Sequence, residues 1–498
     1  MANFFQRPHL ATASVLAVVS TSLIGGSWSL FPAVWPDSQL FVSSAIQSLQ
    51  SGSLVLGNVN IGYVAAIAAA LSSGAGLSTL MFLQHLVWAV SLGLCAYTVV
   101  KLTKSRLWIL PLLLLAAYPG IQIYQNLILT ESFYTSVLTI ATCLLLLAHQ
   151  TTMPKIAAVN IGVALAFAGM APLLKAQGFA PFATILACTL YVAARKSVRT
   201  VLVCILASAL TVSAVAYGQW IRGNSTDAVA VLFGPKTVFS AHLNLVLKSP
   251  STRERAVETF GPSADAILER LKGDMASRTG EYKTLGFFSD ACHYDRELDQ
   301  MAINAQGLGA SGLARWYRDA FVHAVLERPW SYITKVTHQL VYGLKMSVPP
   351  HALGVTIGGD DSSHAAILTM LVNAGFPRTG LEVNGPIDSP ILAHYEGVAN
   401  LLSRGMSFLA AIALLMSLLG PLFARWRNNS LSAFCAMVAL VWFSQIGEIA
   451  LVHTLDVWRY IVPVVPAAFL AVSLAGCVTV RLVSQYFFTH GQFNSHLR

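Results

Sequence analysis

Long apolar runs alternate with short basic clusters through the first 219 residues and again after residue 406. The runs lie near 10–31, 79–100, 107–120, 129–148, 156–173, 179–194, 200–219, 406–424, 431–453 and 460–480. Several approach the ~20 residues that cross a bilayer as a helix, so the pattern predicts about ten transmembrane helices. The run at 107–120 is short and pairs with the next one as a broken unit. Between the seventh and eighth spans, residues 220–405 turn mostly polar. Amphipathic helical patterns occur there at Ser263–Lys272 and at Ser311–Glu327, the latter closed by Arg328-Pro329. The apolar piece at 331–345 reads as an interfacial helix and the one at 364–377 as a buried helix. The predicted fold is an all-α integral membrane protein with a large, mainly helical external loop domain. Its parts are an N-terminal transmembrane module (1–219, with a first external loop at 32–78), the external domain (220–405) and a C-terminal transmembrane module (406–498).

Composition supports the membrane class. Hydrophobic residues make up 55% and charged residues 11% of the chain, where a soluble domain carries roughly 25% charged residues. The net charge of +9 does not point to nucleic acid, because much of it sits in short loops beside helix ends. Arg7 precedes an apolar run that continues from Leu10 to Phe31 without a small-residue cleavage site, so a retained first helix is expected. Six of the seven cysteines lie in apolar segments as packing residues, and Cys292 is alone in the polar region. His293 with Asp290, Cys292 and Asp295 fits no zinc spacing and reads as a solvated loop.

Orientation follows from the basic residues. With the N-terminus inside, the inner segments hold Arg7, then Lys101, Lys104 and Arg106, then Lys155, then Arg195, Lys196 and Arg199, then Arg425 and Arg427, then Arg481 and Arg498. None of these segments contains an acid, and the assignment satisfies the rule that cytoplasmic loops carry an excess of Lys and Arg. Both termini are then cytoplasmic, and a bacterial inner membrane is the simplest setting.

The remaining charges are few. Eighteen of the 22 acids fall in 220–405, leaving Asp37, Glu131, Glu448 and Asp456. All four are assigned to the external ends of spans, with Lys175, Arg222, Arg404 and Arg459 on the same side. Asp37 is the only charged residue between Arg7 and Lys101, and isolated ionisable groups at a membrane are candidates for function. These groups are expected to converge on a polar cavity roofed by the large loop.

The order of motifs resembles the GT-C superfamily of polytopic glycosyltransferases. Trp35-Pro36-Asp37-Ser38, followed by Phe41, Ala45, Leu49 and Gly52, resembles that superfamily's first external loop with an acid opening an interfacial helix. Gly62-Tyr63 and Leu83-Gln84-His85-Leu86 follow. Tyr118-Pro119 with Leu129-Thr130-Glu131-Ser132 is similar to the entry to a later helix. Asp456-Val457-Trp458-Arg459-Tyr460 with Pro463 and Pro466 is similar to the opening of the last helices, and Arg328-Pro329-Trp330-Ser331-Tyr332 also resembles a family segment. The likeness covers roughly the first 180 residues well and the last 50 moderately. It departs where Ser38 follows Asp37, a place where many members carry a second acid, so a divalent metal is possible but not supported by the motif, and no other cofactor is expected. Lys175 stands where an Arg is more typical.

The resemblance implies a sugar donor on polyprenyl phosphate and an acceptor that is a glycan, glycolipid or protein, with transfer at the external face. Asp37 is the candidate general base for the acceptor hydroxyl, and Pro36-Asp37-Ser38 equally fits an N-cap for a helix over 38–50 ending at Gly52. Arg459, Lys175, Arg222 and Arg404 are candidates for the donor phosphate, arginine being suited to bidentate contact. Glu131, Tyr460 and His453 are candidates for positioning the acceptor, and Glu131 could instead pair with a cation. Two other classes fit many spans with a large loop. A polysaccharide polymerase or ligase would rely on loop arginines, and a lipid or solute transporter would place charges near the bilayer midplane and show internal repeats.

Overall fold

In the computed structural model the described residues are 8–25, 30, 32–35, 37–55, 59–223, 228–276, 292–293, 295–349, 361–376, 396–452 and 458–495. Among them every regular element is helical, and the only extended pairing is a single parallel bridge between Ala33 and Leu127. The N-terminal part contains α1 (Pro8–Gly25), α2 (Ser38–Ser51), α3 (Ile61–Ser72), α4 (Leu77–Thr103), α5 (Leu110–Ala117) and α6 (Pro119–Gln125). It continues with α7 (Glu131–Gln150), α8 (Pro154–Leu174), α9 (Phe179–Ala194) and α10 (Val198–Gly223). The polar stretch forms α11 (Ala228–Ala241), α12 (Leu243–Leu247), α13 (Thr252–Phe260), α14 (Ala264–Ala276), α15 (Arg296–Asn304), α16 (Gly309–Glu327), α17 (Pro329–Lys345) and α18 (Asp361–Asn373). The C-terminal part has α19 (Glu396–Leu419), α20 (Ala424–Arg427), α21 (Ser432–Val452) and α22 (Val465–Ser495).

Eight helical segments among the described residues are long and apolar enough to cross a membrane: α4, α7, α8, α9 with the turn before it, α10, α19, α21 and α22. The chain is therefore a multi-pass membrane protein. Among the described residues, two of the ten expected spans fall short of that length, the first of them (10–31) running on into residues outside those described. In α1 the apolar part covers Ala11–Leu23, and the run at 107–120 has only Leu107–Ala117 as an apolar helix. Proline explains the second case. Pro119 cannot donate an amide hydrogen and disfavours helical backbone in the residue before it. Tyr118 accordingly adopts ψ 114°, which ends α5, and Pro119 starts α6.

Packing inside lipid cannot rely on excluding water, so close approach of small residues matters more. The buried face of α8, which packs on α7 and α10, includes Ala157, Ala164, Ala168, Gly169 and Ala171. On α10 the side chains of Leu202, Leu206 and Leu210 are 60–65% exposed, as a lipid-facing surface demands. Trp88 and Trp442 are fully buried in the bundle.

The polar stretch divides in two. Helices α11 to α16 enclose their own core, built on Phe239, Val246, Phe260, Leu271, Leu313 and Trp316. Inside it Lys236 donates to Asp299 Oδ2 at 2.7 Å, and the Tyr317 hydroxyl donates to Asp299 Oδ1 at 3.0 Å. The next two helices pack on the transmembrane bundle instead. Ile367 and Leu371 of α18 join the bundle core, with α18 against α2, and α17 lies against α19 and α21.

Candidate functional site

Two loops far apart in sequence are fastened together at one end of the bundle. The Ala33 amide donates to the Asn126 carbonyl at 2.8 Å, and the Ile128 amide donates back to Ala33 at 3.1 Å. The Ser38 hydroxyl donates to the Ile128 carbonyl at 2.9 Å while accepting from the Trp35 amide. Beneath them Gln84 is fully buried. Its amide donates to the carbonyls of Gln125 and Leu127, and its oxygen accepts from the Tyr63 hydroxyl at 2.8 Å. These bonds satisfy the backbone of a non-helical stretch inside the membrane protein, where an unpaired group would be costly. They also set Asp37, at the start of α2, beside Glu131, at the start of α7.

The charges meet there. Arg459 places Nη1 2.7 Å from Asp37 Oδ2 and Nε 2.5 Å from Glu131 Oε1. Lys175 Nζ lies 2.7 Å from the same Glu131 oxygen and 4.7 Å from the centroid of the Tyr460 ring, a cation–π contact. The Thr130 hydroxyl donates to Glu131 Oε2 at 3.1 Å. The cluster therefore holds two carboxylates and two cations and is neutral. Its members differ in access: the side chain of Glu131 is 0% exposed, Lys175 9%, Arg459 22% and Asp37 34%. Asp37 and Arg459 form the side open to a ligand, and Glu131 and Lys175 form the floor.

Local structure explains how each side chain arrives. Asp37 occupies the N-cap position of α2 but makes no side-chain cap bond. Its carboxylate is committed to Arg459, while Gly52 closes the helix at φ 64°, in the left-handed region glycine tolerates. Lys175 follows directly after α8 in extended backbone (φ −151°, ψ 138°). The turn it starts is shut tightly, because a Cβ on Gly178 would sit 2.4 Å from the backbone carbon of Ala171. The Tyr134 hydroxyl donates to the Gln177 carbonyl at 2.8 Å and contacts Gln445 Oε1 at 2.5 Å, tying the Lys175 turn to α7 and α21.

Of the residues singled out in the sequence, Asp37, Glu131, Lys175, Arg459 and Tyr460 come together. Arg404 does not join them: it is exposed on α19 and forms no ion pair among the described residues. Helix periodicity turns it outward while its neighbour Ser403 packs inward on the Val348 carbonyl. The side chain of Arg222, together with His453 and Asp456, lies outside the described residues. Glu448 serves the start of α9, accepting from the Ala180 amide at 3.0 Å, a favourable place for a carboxylate. The stretch around His293 is less solvated than expected, since Cys292 is fully buried against Ser240 and Asp295 caps α15 by accepting from the Leu298 amide.

Tyr134, Gln445 and the Gln177 carbonyl were not marked by the sequence reading. The available signal was a glutamine, Gln445, within a span of mean apolar character, since a polar side chain there needs a buried partner. Compared with known proteins, the chain matches no family model, no curated protein and no solved structure.

Chemically, the cluster offers a guanidinium and an ammonium near an accessible carboxylate. An anion arriving at Arg459 competes with Asp37 for the same guanidinium. A carboxylate released from its ion pair is a stronger proton acceptor.

Proposed function

We propose that the protein is a GT-C-like membrane glycosyltransferase. It transfers a sugar from a polyprenyl-phosphate donor to a glycan, glycolipid or protein acceptor at the external membrane face. The observation that carries this reading is the bridge Arg459 makes between Asp37 and Glu131, with Lys175 on the same carboxylate. Isolated charges from four distant parts of an apolar chain form one neutral cluster with a solvent-reaching side.

In the proposed reaction the donor phosphate binds Arg459 and Lys175, where fixed cations stabilise charge that grows as the bond breaks. The phosphate draws Arg459 away from Asp37. The acceptor oxygen attacks the anomeric carbon, and the bond from that carbon to the phosphate oxygen breaks with its electron pair left on the phosphate. The acceptor proton passes to Asp37, acting as general base. Glu131, with no exposed surface, orients both cations rather than touching substrate. In this scheme α1 and the short run at 107–120 complete the ten membrane segments, and both termini are cytoplasmic.

The test is a structure of the protein with a polyprenyl-phosphate sugar bound. The proposal expects donor phosphate oxygens roughly 2.7–2.9 Å from Arg459 and the anomeric carbon facing Asp37. A donor phosphate bound away from Arg459 and Lys175 rejects the assignment.

A further inference from the structure

A cavity of about 280 Å³ lies between the α11–α12 corner and α17, where the loop domain meets the bundle. Its walls include His242, Lys248, Arg328, Ser331, Lys335 and His338, and no carboxylate among the described residues lines it. The neighbouring acid, Glu327, is occupied elsewhere, accepting from the Ser249 hydroxyl and the Ser251 amide. The bonding of His242 fixes its tautomer. Nδ1 lies 2.7 Å from the Val238 carbonyl, which can only accept, so Nδ1 carries the hydrogen. Nε2 is then an acceptor, and Lys335 Nζ donates to it at 2.9 Å. A second hydrogen of Lys335 reaches the Ala450 carbonyl at 3.0 Å.

The cavity runs along one face of α17. Ser331, Thr334, Lys335 and His338 recur at helical spacing along it. Arg328 and Ser331 put the positive end of this 17-residue helix at the cavity as well. Two cationic side chains, Arg328 and Lys248, the donating Lys335 amine, a helix N-terminus and no acid among the described lining residues make a site for a compact, multiply charged anion.

The position of the cavity narrows the source of that anion. The Ala450 and Leu451 carbonyls that receive Lys335 and the Tyr332 hydroxyl belong to the last turn of the span α21. The cavity thus opens at the membrane boundary. Beside it on α17, Trp330, Ile333 and Val341 are 78%, 49% and 45% exposed and form an apolar stripe next to the cationic one. We propose that this cavity binds the phosphate headgroup of a membrane lipid, whose chains lie along the Trp330–Val341 stripe. The cavity shares no lining residue with the Arg459 cluster, and the proposal holds or fails whether or not the protein transfers sugars.

The experiment titrates the full-length protein, purified in an uncharged detergent, with three probes read by native mass spectrometry. Phosphatidic acid carries the phosphate and the chains, the matching diacylglycerol carries the chains alone, and inorganic pyrophosphate carries phosphate alone. The proposal expects phosphatidic acid to bind at least about tenfold more tightly than diacylglycerol, one charge-assisted contact corresponding to roughly that factor. Arg328→Gln/Lys248→Gln lowers its affinity by about tenfold or more. Ser331→Asp, an exposed change that leaves packing untouched, lowers it likewise by repulsion. Pyrophosphate binding as tightly as phosphatidic acid, with the same dependence on these residues, supports the phosphate chemistry and overturns the lipid source. Equal binding of phosphatidic acid and diacylglycerol, or affinity unchanged in both variants, overturns the site.

Discussion

Glu131→Gln isolates the electrostatic role of the buried cluster. The substitution keeps volume and one oxygen but removes the charge that faces both Lys175 and Arg459. In the wild type two carboxylates balance two cations, whereas the variant leaves a net positive charge around a side chain with no exposed surface. Breaking a buried ion pair on one side costs about 3–5 kcal/mol, a large share of the ~5–15 kcal/mol that stabilises a typical fold. Adding Lys175→Met restores neutrality, with Arg459 and Asp37 still paired. The double variant is therefore expected to lose less than the two single losses combined, with a coupling of about 0.5–3 kcal/mol. Reversible unfolding by sodium dodecyl sulfate in mixed micelles, followed by fluorescence of the ten tryptophans, measures each term. A Glu131→Gln protein as stable as the wild type, or a double variant less stable than additivity gives, would refute the account of the cluster as a neutral, mutually dependent unit.

Three further outcomes are expected. Gly178→Ala pushes a methyl group into the Ala171 backbone and shifts the Lys175 turn. It should destabilise by about 1–3 kcal/mol in the same unfolding assay, while Gly234→Ala, where a Cβ meets open space, changes little. Lys335 is held down to about 7 from its ordinary 10.5 by burial, so between those values the unfolded chain binds a proton that the folded chain does not. Without added phosphate, stability should therefore rise as pH goes from about 7 toward 10.5 and be lowest below 7. Lys335→Met should flatten that slope, measured as unfolding midpoints at matched ionic strength. Cys292, fully buried and with its thiol pushed up to about 12, should resist maleimide in the folded protein at neutral pH and react once the loop domain unfolds, read by intact mass.

Much of this organisation was legible in the sequence because a membrane enforces it. Apolar runs of span length had to become helices, and α4, α7 and α8 follow the runs at 79–100, 129–148 and 156–173 within a few residues. Arg328-Pro329 marked the break between α16 and α17 for the local reason that proline starts a helix more easily than it continues one. The isolated charges were legible as well: Asp37, Glu131, Lys175 and Arg459 stood out because little else near them is charged. Their division of labour was not. Glu131 lies fully buried with two cations, whereas Arg404, equally conspicuous in sequence, faces outward one position from an inward serine. The pairing of Ala33 with Leu127 joins segments about 90 residues apart, and no local periodicity encodes it. The basic cavity was equally hidden, because Lys248 and Lys335 reach it from segments about 90 residues apart, one in the loop domain and one on a helix packed against the bundle.

The central claim, that the Asp37 cluster carries out sugar transfer, is tested most directly by lipid-phosphate release. Purified wild type and Asp37→Asn would be incubated with a panel of polyprenyl-phosphate sugars and an envelope acceptor fraction. The account predicts release by the wild type with at least one donor. It also predicts a fall of about 10²–10⁴-fold in Asp37→Asn, the usual contribution of a general base, at unchanged folding. Wild-type turnover that persists undiminished in Asp37→Asn, or no turnover with any donor, contradicts it.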